Sequence, residues 1–197
     1  MGSRQDRTFS NEYISRRYCL KLGLWGAVGT LLPMQTLAGV PETSADERIL
    51  SFYNTHTGEH LNKARFWAEG RFIPETLREI NHLLRDHRTD SVYPIDPALL
   101  TFLYSLKRQL PSYSQFHVIS GYRSPETNQM LNRRSNGEVS TSSLHMEGKA
   151  IDLRVPGCDL SKLRKTALAM KRGGVGYYPS SNFVHIDSGR PRWWSGS

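Results

Sequence analysis

The sequence predicts an α+β domain built on a small, mainly antiparallel sheet with helices packed against it. Segments whose apolar residues repeat at helical spacing are interspersed with short runs of strand-like alternation, and a hairpin signal stands near the start. No internal repeat or low-complexity block interrupts them. A chain of 197 residues has room for one such domain with a proper core.

The first 38 residues stand apart from that domain. Residues 15–21, "SRRYCLK", precede the uncharged, mostly apolar run "LGLWGAVGTLL" at 22–32 and then "PMQTLAGV". A basic stretch with Arg16, Arg17 and Lys21, a short apolar run and small residues beyond it are the parts of a secretion signal of the twin-arginine kind, with cleavage expected after Ala38. The apolar run is too short for a membrane-spanning helix, which takes about 20 residues. Cys19 lies before the expected cut with no second lipidation signal beside it. Residues 39–48 then form a polar linker, and 49–197 the domain.

Cleavage would leave Cys158 as the sole cysteine, so an internal disulfide is excluded and stability must come from the core, helped by a metal if one is bound. Removing five basic and two acidic side chains takes the formal charge from +8 to +5. A basic exported product suits an anionic partner such as cell-wall polymer or a membrane surface, although charge alone would equally suit nucleic acid.

The elements follow in order. "ILSFYNTHTGEHLNKARFW" places two apolar-rich runs around "THTGE", a hairpin over 49–67, with a second turn at "AEGRF". "PETLREINHLLRDHR" opens with Pro74 and repeats Leu77, Ile80 and Leu84 on one helical face. A deeply packed helix starts after Asp96 as N-cap, with Pro97 in its first turn. "QFHVISGYRS" reads as a strand ending in a glycine turn, "SPETNQMLNRR" as a helix capped by Ser124, and "SNGEVSTSS" as a polar loop bordering a site. "KAIDLRV" is a strand. "DLSKLRKTALAMKRGG" is a helix with Asp159 as N-cap and Gly173 as a stop. "GVGYYPSSNFVHIDSG" supplies one or two strands, followed by the tail "RPRWWSGS".

Chemistry concentrates on two of these strands. Side chains alternate faces along a strand, so Ile151, Leu153 and Val155 share one face while Ala150, Asp152 and Arg154 share the other. Likewise Val184 and Ile186 oppose Phe183, His185 and Asp187. A shared sheet would bring Asp152, His185 and the nearby His145 together. Two histidines and a carboxylate are a ligand set for a catalytic zinc, which keeps a fourth position open. Zinc lowers the pKa of a coordinated water toward about 7 and polarises a carbonyl. His56, His60, His82, His87 and His117 read as surface or satisfied histidines.

"SLHMEGKAID" matches the SxHxxGxAxD signature of the D-alanyl-D-alanine zinc metallopeptidase family, whose fold is shared with lysostaphin-type peptidases and the hedgehog signalling domain. "SGYRS" at 120–124 and "GVGYYPSSNFVHIDSG" at 174–189 are similar to the branch that includes murein endopeptidase K. The resemblance extends to "SFYNTHTGEHL" and "LREINHLLRDHRT". It implies that His145, Asp152 and His185 bind zinc and that Arg123 contacts a substrate carboxylate or the negative charge developing at the scissile carbonyl, as a planar guanidinium can.

The chain departs from parts of the wider family, in which a glutamate three residues before the last histidine, or a histidine two before it, acts as general base. Asn182 and Phe183 occupy those places and neither takes up a proton. Asp187 projects on the same face as His185, either as the base or as a carboxylate orienting a ligand histidine. Glu147 is a weaker candidate. Tyr177 and Tyr178 would line a cleft or pack, and Trp193 and Trp194 would pack back or stack on sugar rings.

The expectation is therefore an exported zinc peptidase of the periplasm, monomeric, meeting the twin-arginine export machinery in transit. It would cut amide bonds in the stem-peptide cross-links of peptidoglycan and have no nucleic-acid partner. The alternatives are a D,D-carboxypeptidase on the same stems and a non-catalytic wall-binding module that keeps zinc as a structural element.

Overall fold

The computed structural model describes residues 46–110, 115–136 and 139–196; the expected signal segment and the expected cut after Ala38 lie outside them. Eight strands form one mixed sheet: β1 (Arg48–Asn54), β2 (His60–Ala68), β3 (Arg71–Phe72), β4 (Phe116–Ser120), β5 (Ala150–Arg154), β6 (Gly174–Tyr178), β7 (Phe183–Asp187) and β8 (Arg192–Ser195). Their spatial order is β3-β2-β1-β4-β5-β7-β6-β8. Four α-helices accompany them: α1 (Pro74–Leu83), α2 (Pro97–Gln109), α3 (Pro125–Arg134) and α4 (Leu160–Ala169). A 3-10 turn spans Leu144–Glu147. No helix among the described residues is long and apolar enough to cross a membrane.

The α+β expectation holds, and the sheet is mainly antiparallel as expected, β1–β4 and β6–β8 being the parallel pairings; with eight strands it is not small. The strand β8 lies in the tail "RPRWWSGS", where no local pattern predicts one. It has four residues, two of them tryptophans, and so shows no apolar–polar alternation; pairing with β6 defines it.

Local signals account for most helix starts. Asp96 accepts from the Ala98 amide, Ser124 from the Thr127 amide and Asp159 from the Ser161 and Lys162 amides, each satisfying donors that the first helical turn leaves free. Helix α1 ends where its apolar face ends, with Leu84 as C-cap. The buried Asp86 then turns the chain, accepting hydrogen bonds from the amides of Arg88 at 3.0 Å and Ser124 at 2.8 Å. The stop for α4 comes before Gly173, with Met170 as its C-cap.

The apolar face of the sheet carries the core. Leu50 and Phe52 of β1, Phe66 of β2, Ile151 and Leu153 of β5 and Val184 and Ile186 of β7 are wholly buried. They form one cluster with Ile80 of α1, Leu99, Leu103 and Leu106 of α2 and Leu163 of α4. Each fully buried aliphatic side chain contributes about 1.5–3 kcal/mol by leaving water. With Ile151, Leu153, Val184 and Ile186 committed to that cluster, the alternation of the strands sends their polar neighbours to the opposite face.

Candidate metal centre

On that opposite face, register pairs Asp152 of β5 directly with His185 of β7, and Ala150 with Asp187. His145 arrives from the 3-10 turn. The turn closes at Gly148, whose φ of 63° is left-handed. A side-chain carbon there would lie 2.1 Å from the Pro94 carbonyl oxygen, so glycine is required twice over. The Gly148 carbonyl accepts from the Asp96 amide at 3.0 Å, fastening the turn to the start of α2.

Three ligand-type atoms converge. His145 Nε2 lies 3.2 Å from His185 Nδ1 and 3.3 Å from Asp152 Oδ1, and His185 Nδ1 lies 2.8 Å from the same oxygen. Among the described residues this is the cluster of histidine and carboxylate groups able to hold a metal ion. All three residues are buried.

The outer atom of each imidazole is already committed. Gly121 O, an acceptor only, stands 2.6 Å from His145 Nδ1, which therefore carries the hydrogen. The Asp187 carboxylate stands 3.2 Å from His185 Nε2 and places the hydrogen there. With both rings neutral, as metal binding requires, His145 Nε2 and His185 Nδ1 turn lone pairs inward toward a carboxylate oxygen that is also an acceptor. Three buried acceptors at this spacing repel one another unless a cation sits among them. Donors about a zinc ion in tetrahedral geometry stand about 3.4 Å apart, and two of the three separations here are close to that.

The electrostatics set the two histidines apart. Burial, reinforced by the Arg123 charge, pushes His145 down to about 4, so the ring is neutral at physiological pH. Burial works against Asp152 ionisation, but the adjoining His145 and the Arg123 guanidinium outweigh it and hold the carboxyl well below its ordinary range. His185 shifts the other way: burial would lower it, yet hydrogen bonds to Asp152 and Asp187 prevail and raise it.

Arg123 reaches the same place. Its Nε donates to Ser120 Oγ at 2.9 Å and its Nη2 to Asp152 Oδ2, leaving Oδ1 to the histidines. The guanidinium thus fixes the candidate ligand carboxylate while lining the cleft above it. That cleft, about 520 Å³, is lined by Ser140, Ser142 and Ser143 of the polar loop and by Tyr178, Phe183 and Trp194.

Asp187 does not line the cleft. It is fully buried, and its oxygens accept from the amides of Gly174 at 3.0 Å and Gly189 at 2.8 Å, from His185, and from both terminal nitrogens of Arg192 at 3.1 and 2.7 Å. Burial opposes its ionisation, but the bonds from His185, Arg192 and the two amides hold it near 2. Of the two roles left open for Asp187, this geometry favours orienting His185. A general base needs a lone pair facing the reactants, and these oxygens face protein donors.

The other candidates separate cleanly. Asn182 sits at a left-handed φ of 52° in the turn between β6 and β7, while Phe183 lines the cleft stacked on Tyr178 at 4.6 Å. Glu147 is exposed and paired with Lys149 at 2.7 Å. Tyr177 packs beneath Arg164, and Trp193 is 69% exposed on the far face. Trp194 enters the cleft, its ring 5.1 Å from that of His185. Arg192 went unnoticed in the sequence, since nothing local distinguishes it from the other basic residues of the tail.

Residues 42–194 match the profile of the family described as Peptidoglycan L,D-endopeptidase MepK. The chain belongs to that family. The MepK protein of Escherichia coli (strain K12) is 43% identical over 180 residues, covering 91% of this chain and 97% of the relative. That of Shigella flexneri gives the same figures. A Haemophilus influenzae relative is 41% identical over 183 residues, 92% of this chain and 96% of its own length. No solved structure matches. Membership in the MepK family agrees with the resemblance read from "SLHMEGKAID" and makes the chain a peptidase.

Proposed function

We propose that the chain is a zinc-dependent peptidoglycan endopeptidase that hydrolyses stem-peptide cross-links at an L,D amide bond, with His145, Asp152 and His185 holding the metal. The observation that carries this is the inward convergence of His145 Nε2, His185 Nδ1 and Asp152 Oδ1 within 3.3 Å, each histidine's other nitrogen being already occupied. The L,D-endopeptidase names of the relatives support the bond class.

Zinc, when bound, supplies Lewis acidity and brings water activation into the neutral range. This chain's residues do the rest. Asp187, clamped by Arg192, fixes the ring and tautomer of His185; Gly121 does the same for His145. Arg123 holds Asp152 with one edge and presents its remaining N–H groups to an anionic oxygen or carboxylate of the substrate. Among the described residues that line the cleft, Asp152 is the sole carboxylate. The loop carrying Ser140, Ser142 and Ser143 and the aromatic side chains of the cleft receive the two strands of a cross-link.

The architecture is that of the zinc fold shared with D-alanyl-D-alanine peptidases and the hedgehog domain. Residues 1–38 serve as a twin-arginine signal removed on export to the periplasm, 39–48 as linker, and 49–197 as a monomeric catalytic domain. Digestion of defined cross-linked muropeptides by the purified protein, with and without chelator, tests the reading. Cross-linked dimers should fall to monomers only with metal present. Release of free D-alanine from uncross-linked stems would point instead to a D,D-carboxypeptidase.

A further inference from the structure

Neighbours constrain the direction of the Tyr178 hydroxyl in the cleft. Trp194 Nε1 lies 2.8 Å from the Tyr178 oxygen. An indole nitrogen only donates, so Tyr178 is the acceptor and its own O–H must point elsewhere. Among the described residues no protein group accepts that O–H, and Tyr178 lines the cleft that also exposes His145, Asp152, His185 and Arg123.

The arrangement is built, not incidental. The Tyr178 ring is stacked on Phe183 at 4.6 Å and an interplanar angle of 20°. The Trp194 ring lies 5.1 Å from that of His185 and 5.0 Å from the Arg192 guanidinium. Gly176 faces Trp194 across the β6–β8 pair, and a side-chain carbon there would come within 2.7 Å of the indole. The backbone has thus cleared a seat for an indole one ring away from the ligand cluster. Accepting a hydrogen bond from the indole polarises the phenol and strengthens its own donation.

We propose that Tyr178 is a catalytic hydrogen-bond donor to the oxygen of the scissile amide as that oxygen gains negative charge, and that Trp194 is the positioning residue that aims it; the proposal deepens the peptidase reading above and rests on it. No proton changes owner in this step. The phenol donates a hydrogen bond to an oxygen that is more basic in the transition state than in the ground state, which is where a fixed donor accelerates a reaction. Arg123, whose guanidinium is tied to Asp152 and Ser120, is then not alone in meeting that charge.

The test uses the full, zinc-loaded protein, a cross-linked muropeptide as substrate, and a phosphinic dipeptide isostere as a probe of tetrahedral anionic oxygen, its affinity measured by calorimetry. Tyr178→Phe keeps the ring stacked on Phe183 and should lower kcat about 100-fold with KM within about twofold, weaken phosphinate binding by a comparable factor, and leave zinc content and Tm unchanged. Trp194→Phe should give a smaller loss, and the double variant should be no worse than Tyr178→Phe, because the indole acts through the phenol. Unchanged kcat and phosphinate affinity in Tyr178→Phe, or additive losses in the double variant, would overturn the proposal while leaving the peptidase reading standing. A wild-type protein that neither cleaves the muropeptide nor binds the phosphinate would overturn both.

Discussion

His185 Nε2 lies 3.2 Å from Asp187 Oδ2, two residues further along the same strand, and Arg192 holds that carboxylate from behind at 2.7 Å. Alternation along β7 places both side chains on one face. The pair therefore acts as a unit in which a buried anion selects the tautomer and angle of a ring whose other nitrogen faces the ligand cluster.

Asp187→Asn tests that relationship. An amide cannot offer the same charge to His185 or to Arg192, so zinc affinity should fall about 10–100-fold. Turnover should recover when zinc is supplied in excess, as competition with a chelating dye and activity at saturating metal will show. A variant that keeps its zinc and still fails to turn over would instead identify Asp187 as a base.

Arg123→Ala would leave Asp152 with an unpaired buried oxygen beside two histidines. Breaking a buried ion pair from one side costs about 3–5 kcal/mol, so Tm should drop by several degrees in the metal-free protein. Bound zinc should restore much of that loss by neutralising the same carboxylate. Scanning calorimetry with and without zinc measures both effects.

Asp86 governs stability in acid. Burial opposes its ionisation, but hydrogen bonds from the Thr127 side chain and the amides of Arg88 and Ser124 hold it near 2, below its ordinary 3.8. A depressed folded-state pKa means stability that is fully present above the ordinary value and disappears as pH falls through about 2. The contribution is on the order of 2 kcal/mol. Urea unfolding between pH 5 and 2 should show this slope, and Asp86→Asn should flatten it.

Much of this was written locally in the chain. Asp96, Ser124 and Asp159 announced their helices because an N-cap acts within three residues. Alternation in "AIDLRV" and "NFVHID" assigned Asp152 and His185 to the polar face, since one face of each strand had to be buried. What escaped notice depends on distant partners. The parallel pairing of β6 with β8 joins segments with no pattern in common, and Arg192 acquires its meaning only because that pairing sets it beside Asp187. The turn after α1 rests on Asp86 bonding to Ser124, 38 residues away. The direction of the Tyr178 hydroxyl likewise follows from Trp194, which no local spacing connects to it.

Whether His145, Asp152 and His185 together hold one metal ion is decided by the metal content of purified wild-type and His145→Ala proteins, dialysed side by side and measured by elemental mass spectrometry. About one zinc per wild-type chain and almost none in the variant is expected, with helical content preserved by circular dichroism. Equal zinc in both proteins would contradict this ligand assignment.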